Sequence, residues 1–196
     1  RLNFSVIIPS RNRPNLLRYA IESVLRQTHG DFEVIVVNDG SEGEHAQAYS
    51  DMAVAWPGKV RFINLENAPN GHGPSYSINR GVEQATGEYV CFLDDDDTWT
   101  DSEHLAKAWQ GLTTSSAELY LTMQQAYLND TLVNETLWLN GFPAYARNNQ
   151  IREINNIFLT SPDKLIESCK GKFAHLNTLI TRKSLLMKIS SPCAGR

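Results

Sequence analysis

Four aspartates in a row, Asp94-Asp95-Asp96-Asp97, follow the apolar run Tyr89-Val90-Cys91-Phe92-Leu93. Adjacent carboxylates repel one another, and a protein holds such a run at the end of a buried strand only when a cation or several donors compensate. Carboxylate oxygens suit hard ions, so the expected chemistry is Mg2+ or Mn2+ held by one or two carboxylates together with ligand phosphates and water. A calcium loop of the EF-hand type is excluded by spacing. Counting from Asp94, the sixth position is Trp99 where glycine is required, and the twelfth is Leu105 where a bidentate glutamate is required. An acid run can instead cap a helix or face solvent; its place straight after an apolar run favours the cation.

Two further polar segments are placed to meet this run. Pro9-Ser10-Arg11-Asn12-Arg13 follows Phe4-Ser5-Val6-Ile7-Ile8, and Asn38-Asp39-Gly40-Ser41 follows Phe32-Glu33-Val34-Ile35-Val36-Val37. Asp39 reads either as an acceptor for a base N–H or a ribose hydroxyl, or as a turn residue binding its own backbone. The dinucleotide fingerprint fails, because the first loop has no glycine and Gly71-x-Gly73 is followed by Tyr76 where the third glycine should stand. A P-loop fails too, since Gly58-Lys59 and Gly171-Lys172 run into Val60 and Phe173. Trp99, Trp109 and Trp138 could stack on sugars, although core packing is the stronger expectation for each.

The elements that must position these loops alternate. The run from Phe4 to Ile8 predicts a strand, and the apolar spacing from Pro14 to Leu25 an amphipathic helix. Phe32 to Val37 predicts a strand buried on both faces, Ala46 to Trp56 a weaker helix, Val60 to Ile63 a strand, Ser75 to Ala85 a helix, Tyr89 to Leu93 a strand and Ser102 to Leu112 a helix. Such alternation implies βαβ units and a mostly parallel sheet, whose ligands gather beyond the carboxyl ends of the strands. All three polar loops belong to that one edge. Farther on, Glu118 to Tyr127 and Thr131 to Leu139 flank Asn129-Asp130 as an antiparallel pair. Residues 140 to 172 read as irregular or short-helical, His175 to Thr181 as a last strand and Lys183 to Ile189 as a helix.

The 196 residues suit a single domain. A net charge of −4 argues against a partner bound by neutralising nucleic-acid phosphates. The three cysteines, Cys91, Cys169 and Cys193, have neither disulfide-framework nor zinc spacing, which fits a reducing cytoplasm. No apolar run approaches the roughly 20 residues that span a bilayer, so contact with a membrane is expected to be peripheral, at its inner face.

The strings Phe4-Ser-Val-Ile-Ile-Pro-Ser-Arg-Asn-Arg13, Ile21-Glu-Ser-Val-Leu-Arg-Gln-Thr28, Val36-Val-Asn-Asp-Gly-Ser41 and Gly87-Glu-Tyr-Val-Cys-Phe-Leu-Asp-Asp-Asp-Asp97, in this order, resemble family 2 glycosyltransferases of the GT-A fold over about residues 3 to 112. The resemblance implies an α/β fold with a mostly parallel central sheet and an antiparallel C-terminal part. It divides 1–196 into a nucleotide-sugar half, 1–112, and an acceptor-side half, 113–196. It implies that Pro9, Ser10, Arg11 and Asp39 hold the nucleotide base, usually uracil, and that Asp94-Asp95-Asp96 is a D-x-D motif contacting the ribose and a metal ion on the diphosphate. Asp96 is expected as the first metal ligand and Asp94 as the second. His175 matches a position near the diphosphate and is expected as a further ligand or its support, with a structural role as the alternative.

Two departures stand out. The family phrase Ala-Arg-Asn-x-Gly is here Ser77-Ile78-Asn79-Arg80-Gly81, so Ile78 replaces an arginine, and Asn79, Asn70 and Gly73 remain to meet the donor. Inverting members deprotonate the acceptor with an Asp or Glu well after D-x-D, yet no acidic residue follows Glu167, and Lys170, Lys172, Arg182, Lys183, Lys188 and Arg196 make the last stretch basic. The ending Ser190 to Arg196 reads as a cut, so the base is expected outside the chain. The expected reaction is therefore inverting transfer from a UDP-sugar to a hydroxyl of a cell-surface polysaccharide, glycolipid or glycoprotein. A sugar nucleotidyltransferase, which would want a glycine-rich basic first loop, and a donor-binding module without catalysis are the alternatives.

Overall fold

A computed structural model describes residues 2–134, 139, 141–169 and 175–189. In chain order the elements are β1 (Phe4–Ser10), α1 (Pro14–Leu25), β2 (Phe32–Asn38), α2 (Gly43–Ala55), β3 (Val60–Asn64), α3 (Pro74–Gln84), β4 (Tyr89–Phe92), α4 (His104–Ser115), β5 (Leu119–Leu121), β6 (Ala126–Leu128), β7 (Thr131–Asn134), α5 (Phe142–Asn148), β8 (Arg152–Ile154), β9 (Ile157–Leu159), α6 (Pro162–Cys169), a 3-10 turn (Leu176–Thr178), β10 (Leu179–Arg182) and α7 (Lys183–Ile189). They form two compact units. The first runs up to Trp109 and resumes at Ile180; the second is Gln110–Leu179.

In the first unit the strand order is β3-β2-β1-β4-β10. Strand β1 pairs in parallel with β2, from Phe4 opposite Phe32 to Ser10 opposite Asn38, and with β4, from Phe4 opposite Tyr89 to Ile7 opposite Phe92. The β-branched runs of β1 and β2 suit this position, because helices cover both faces of a parallel sheet and leave no polar face. Val6, Ile7, Ile8, Val34, Ile35, Val36 and Val37 are fully buried, each worth about 1.5–3 kcal/mol relative to exposure. Helix α3 lies close to β1: a Cβ on Gly81 would fall 2.5 Å from a methyl of Ile7. Prolines open α1 and α3, where the missing N–H has no intrahelical partner to lose. Strand β10 returns antiparallel to β4, with Ile180 opposite Cys91 and Arg182 opposite Tyr89. That pairing draws the last strand and helix out of the stretch 113–196 and into the first unit.

The second unit has shorter elements. Its core is Leu139, Phe142, Ala146, Ile151 and Leu165, against which Leu121, Tyr145, Phe158 and Cys169 pack. Strands β6 and β7 form the hairpin expected around Asn129-Asp130, both in the left-handed region at φ 47° and 61°. The expected long strand from Glu118 is instead broken into β5 and β6. A second hairpin, β8–β9, turns on Asn155-Asn156 at φ 51° and 64°, inside the stretch expected to be irregular or helical. The expected strand from His175 starts later, because the His175 ring accepts the Asn177 N–H (3.3 Å) and winds a 3-10 turn before β10 begins. Trp138, Cys193, Lys170, Lys172 and Arg196 lie outside the described residues.

Candidate donor-binding site

The carboxyl ends of β1, β2 and β4 meet on one edge of the first unit. The Asp39 N–H donates to the Ser10 carbonyl (2.9 Å), tying the end of β2 to that of β1. The Ser10 hydroxyl donates to Asp95 Oδ2 (2.6 Å), tying β1 to the aspartate run. Its one hydrogen is thereby used, so the Tyr49 hydroxyl donates to Ser10 Oγ and in turn accepts the Arg13 N–H (3.2 Å). Asn12, in the left-handed region at φ 56°, clasps the neighbouring loop, donating its N–H to Ser41 Oγ and accepting the Glu42 N–H (both 3.0 Å).

Asp39 is buried and heavily engaged. Both its oxygens lie 2.9 Å from the His72 N–H, Oδ2 also accepts the Gly73 N–H (2.9 Å), and Oδ1 faces His72 Nδ1 at 2.8 Å. Against a carboxylate, Nδ1 is the protonated nitrogen of that ring. Burial alone would raise the Asp39 carboxyl, but the His72 and Gly73 donors outweigh it and hold it below the ordinary value. The His72 ring stacks on Tyr76, with centroids 5.0 Å apart and planes at 22°. Only glycine fits at 71, where φ is +69° and a Cβ would fall 2.6 Å from Asp39 Oδ2 and 2.9 Å from Arg11 Nη1. Arg11 reaches the Ala68 carbonyl (3.2 Å) and Glu42 (3.3 Å), and its buried Nε has no partner among the described residues.

The four aspartates are not equivalent. Asp95 is buried against Ser10; burial raises its carboxyl above the ordinary value, Ser10 and Arg13 pull it back, and the Asp96 charge adds to the rise. The Asp96 side chain is half-exposed and Asp94 partly exposed. Arg13 Nη1 bridges the pair, 3.3 Å from Asp95 Oδ1 and 3.0 Å from Asp96 Oδ2. Among the described residues no three His, Cys, Asp or Glu side chains converge to hold an ion by themselves. The donor set nevertheless fits Mg2+ or Mn2+, which take one or two carboxylates and complete their shell with phosphate oxygens and water; the half-exposed Asp96 offers such oxygens, Asp94 beside it is partly exposed, and Asp95 turns inward onto Ser10.

Of the residues expected from sequence, Pro9, Ser10, Arg11, Asp39, Gly73 and Asp94 to Asp96 share this edge or the loop bonded to it. Asn70 is exposed in the same loop, beside the turn in which the Gly71 N–H donates to the Ala68 carbonyl (2.9 Å), and Asn79 is exposed on α3. His175 belongs to the second unit. Trp109 packs on Phe4, His29 and Tyr89, and Trp99 edges onto His104. His72, Tyr49 and Arg13 enter the site without having been singled out. Tyr49 sits mid-helix and gives no local signal; His72 stands between Gly71 and Gly73, and nothing in that spacing marks the histidine as a partner of Asp39. A hollow of about 460 Å3 flanks Arg13 between the starts of α1 and α2, lined by Pro14, Glu44 and His45 among others.

Known proteins resemble this chain in sequence and in fold. An uncharacterized glycosyltransferase of Nostoc is 40% identical over 98 residues, 50% of this chain and 29% of the relative. The succinoglycan biosynthesis protein ExoW of Rhizobium meliloti is 36% identical over 119 residues, 59% of this chain and 36% of that one. The amylovoran biosynthesis glycosyltransferase AmsB of Erwinia amylovora is 34% identical over 113 residues, 57% and 35%. The chain thus spans about a third of these relatives. Among solved structures, TarS 1-349 of S. aureus in complex with UDP-GlcNAc superposes with a TM-score of 0.63 at 23% identity, covering 96% of this chain and 47% of that one. The mannosyltransferase PcManGT of Pyrobaculum calidifontis, in complex with GDP-Man and Mn2+, gives 0.66 at 18%, covering 97% and 47%. These likenesses show the GT-A fold. The sequence profile described as glycosyl transferase family 2 matches residues 5–173, and the chain belongs to that family.

Proposed function

We propose that the chain binds a nucleoside-diphosphate sugar, a UDP-sugar in the first instance, and serves inverting transfer of the sugar to a hydroxyl of a growing polysaccharide or glycoconjugate. The observation that carries this reading is the convergence of Ser10, Asp39 and the aspartate run on one sheet edge. Asp39, with Pro9, Ser10 and Arg11, would hold the base; Asp94 borders the ribose with Asp95 bonded inward to Ser10 behind it, and Asn70, Gly73 and Asn79 border the donor. Asp96, then Asp94, would hold Mn2+ or Mg2+; His175, expected from the sequence as a further ligand, belongs to the second unit and is not assigned to the ion. PcManGT, solved with GDP-Man and Mn2+, and TarS, solved with UDP-GlcNAc, support the metal and the donor class. The relatives ExoW and AmsB, named for polysaccharide biosynthesis, support the setting.

In the proposed reaction the acceptor oxygen bonds to the anomeric carbon from the face opposite the diphosphate. The bond to the diphosphate oxygen breaks, and the acceptor proton passes to a carboxylate base that is not assigned to this chain. Asp96 would hold a metal ion, which when bound would supply charge neutralisation for the departing diphosphate. The chain's own residues fix the base at Asp39 and keep Asp95 turned inward. Among the described residues no helix is long and apolar enough to cross a membrane; we place the work in the cytoplasm, peripheral to the inner membrane face.

Calorimetry with UDP, with and without Mn2+, tests the reading. Binding should require the metal and fall at least tenfold in Asp96→Ala; metal-independent binding, or binding indifferent to that substitution, sinks it. The second reading is a donor-binding module without catalysis. UDP release from a panel of sugar donors separates the two.

A further inference from the structure

Among the described residues, Arg13 is a cation that touches the aspartate run directly. Its backbone is fixed: the N–H donates to the Tyr49 hydroxyl (3.2 Å), and the carbonyl accepts the Leu17 N–H (3.0 Å) in the first turn of α1. Its side chain is not fixed in the same way. The guanidinium is about half-exposed, and a single nitrogen, Nη1, bridges Asp95 and Asp96. Arginine offers five donors in a planar fork suited to bidentate anions, so this contact uses little of what the group can do. Arg11 is turned to Ala68 and Glu42 on the other side of the site.

We infer that Arg13 is the diphosphate-binding cation of this chain and, before the donor arrives, a stand-in for the metal on Asp96. A divalent ion approaching Asp96 meets a guanidinium already 3.0 Å from the carboxylate it needs, and the two like charges repel. A diphosphate reverses the balance. It brings charge for both cations, so the metal takes Asp96 while Arg13 moves its fork to phosphate oxygens, where bidentate, charge-assisted hydrogen bonds replace one divided contact. The buried Asp95 keeps its Ser10 donor throughout and needs no second partner. Metal and nucleotide would then bind with mutual reinforcement, since each removes an obstacle to the other.

This inference rests on the proposed donor and metal, and the experiment separates their failures. Calorimetry would measure Mn2+ alone, and UDP at saturating Mn2+, for the unaltered chain, Arg13→Gln and Arg13→Lys. Arg13→Gln should bind Mn2+ alone about 2- to 5-fold more tightly, the scale of a removed exposed ion pair, and UDP with Mn2+ about tenfold more weakly, the scale of a lost charge-assisted contact. Arg13→Lys, which keeps the charge but not the fork, should leave Mn2+ affinity unchanged and weaken UDP less. A merely structural role for Arg13 moves both affinities down together. A parallel loss, or no change in either, overturns the inference while leaving the donor reading intact; failure of the unaltered chain to bind UDP with Mn2+ overturns both.

Discussion

Strands β1 and β2 of the first unit run seven residues each and bury all but one residue apiece, whereas the strands of the second unit run three or four residues and β7 is exposed throughout. The two units therefore hold their shape by different means. In the first, a parallel sheet buried on both faces fixes strand register through packing, because a one-residue slip would carry apolar side chains out of place. The polar residues at its carboxyl edge inherit that rigidity, and the Ser10–Asp95 and Asp39–His72 contacts are its product. In the second, turns do more of the specifying: Asn129-Asp130 and Asn155-Asn156 adopt the left-handed conformations that join antiparallel strands with the correct twist. The proposed site, which would hold a base and a diphosphate in register, belongs on the first kind of scaffold.

The comparison breaks most visibly in the core. Ile35, fully buried at the centre of β2, should cost about 2–5 kcal/mol when changed to Ala, read as a shift in the urea midpoint. A loss below about 1 kcal/mol would mean that the sheet relaxes freely and that its edge is not held by packing.

Acid offers a second break, confined to the first unit. His104, buried in the opening turn of α4 against Trp99, has its imidazole pushed down from 6.5 to about 4 by burial. Between those values the unfolded chain takes up a proton that the folded chain refuses. Stability is therefore full above about pH 6.5 and falls as the pH drops toward 4, by on the order of 3 kcal/mol, with no further loss from this residue below 4. Urea midpoints at pH 7 and pH 4.5 should converge in His104→Gln. A pH dependence unchanged by that substitution would locate the acid-sensitive group elsewhere.

The same contrast explains what could be read from the residues alone. The βαβ order up to α4 was legible because long apolar strands and prolines at helix starts leave strong periodic signals, and the meeting of three loops followed from parallel pairing. The bridge from Arg13 to Asp95 and Asp96 was not legible, since it links residues about eighty positions apart through a rotamer that no local pattern encodes. The engagement of Asp39 by His72 was hidden similarly: it depends on Gly71 permitting a close approach that only the folded loop reveals. In the second unit, a three-residue strand such as β8 or β9 is too short to show a period, and the Asn155-Asn156 turn was its only mark.

The smallest effect tests the other side of the comparison. Leu128 and Val133, on β6 and β7, are large apolar side chains at 65% and 58% exposure. If the turn at Asn129-Asp130 and the ladder hold this hairpin, changing either residue to Thr keeps the extended backbone acceptable and removes little buried surface. Stability should then move by no more than about 0.5 kcal/mol, measured by the same urea titration. A loss above about 1 kcal/mol would show that these side chains are covered in solution, and the hairpin would then be held by packing as the strands of the first unit are.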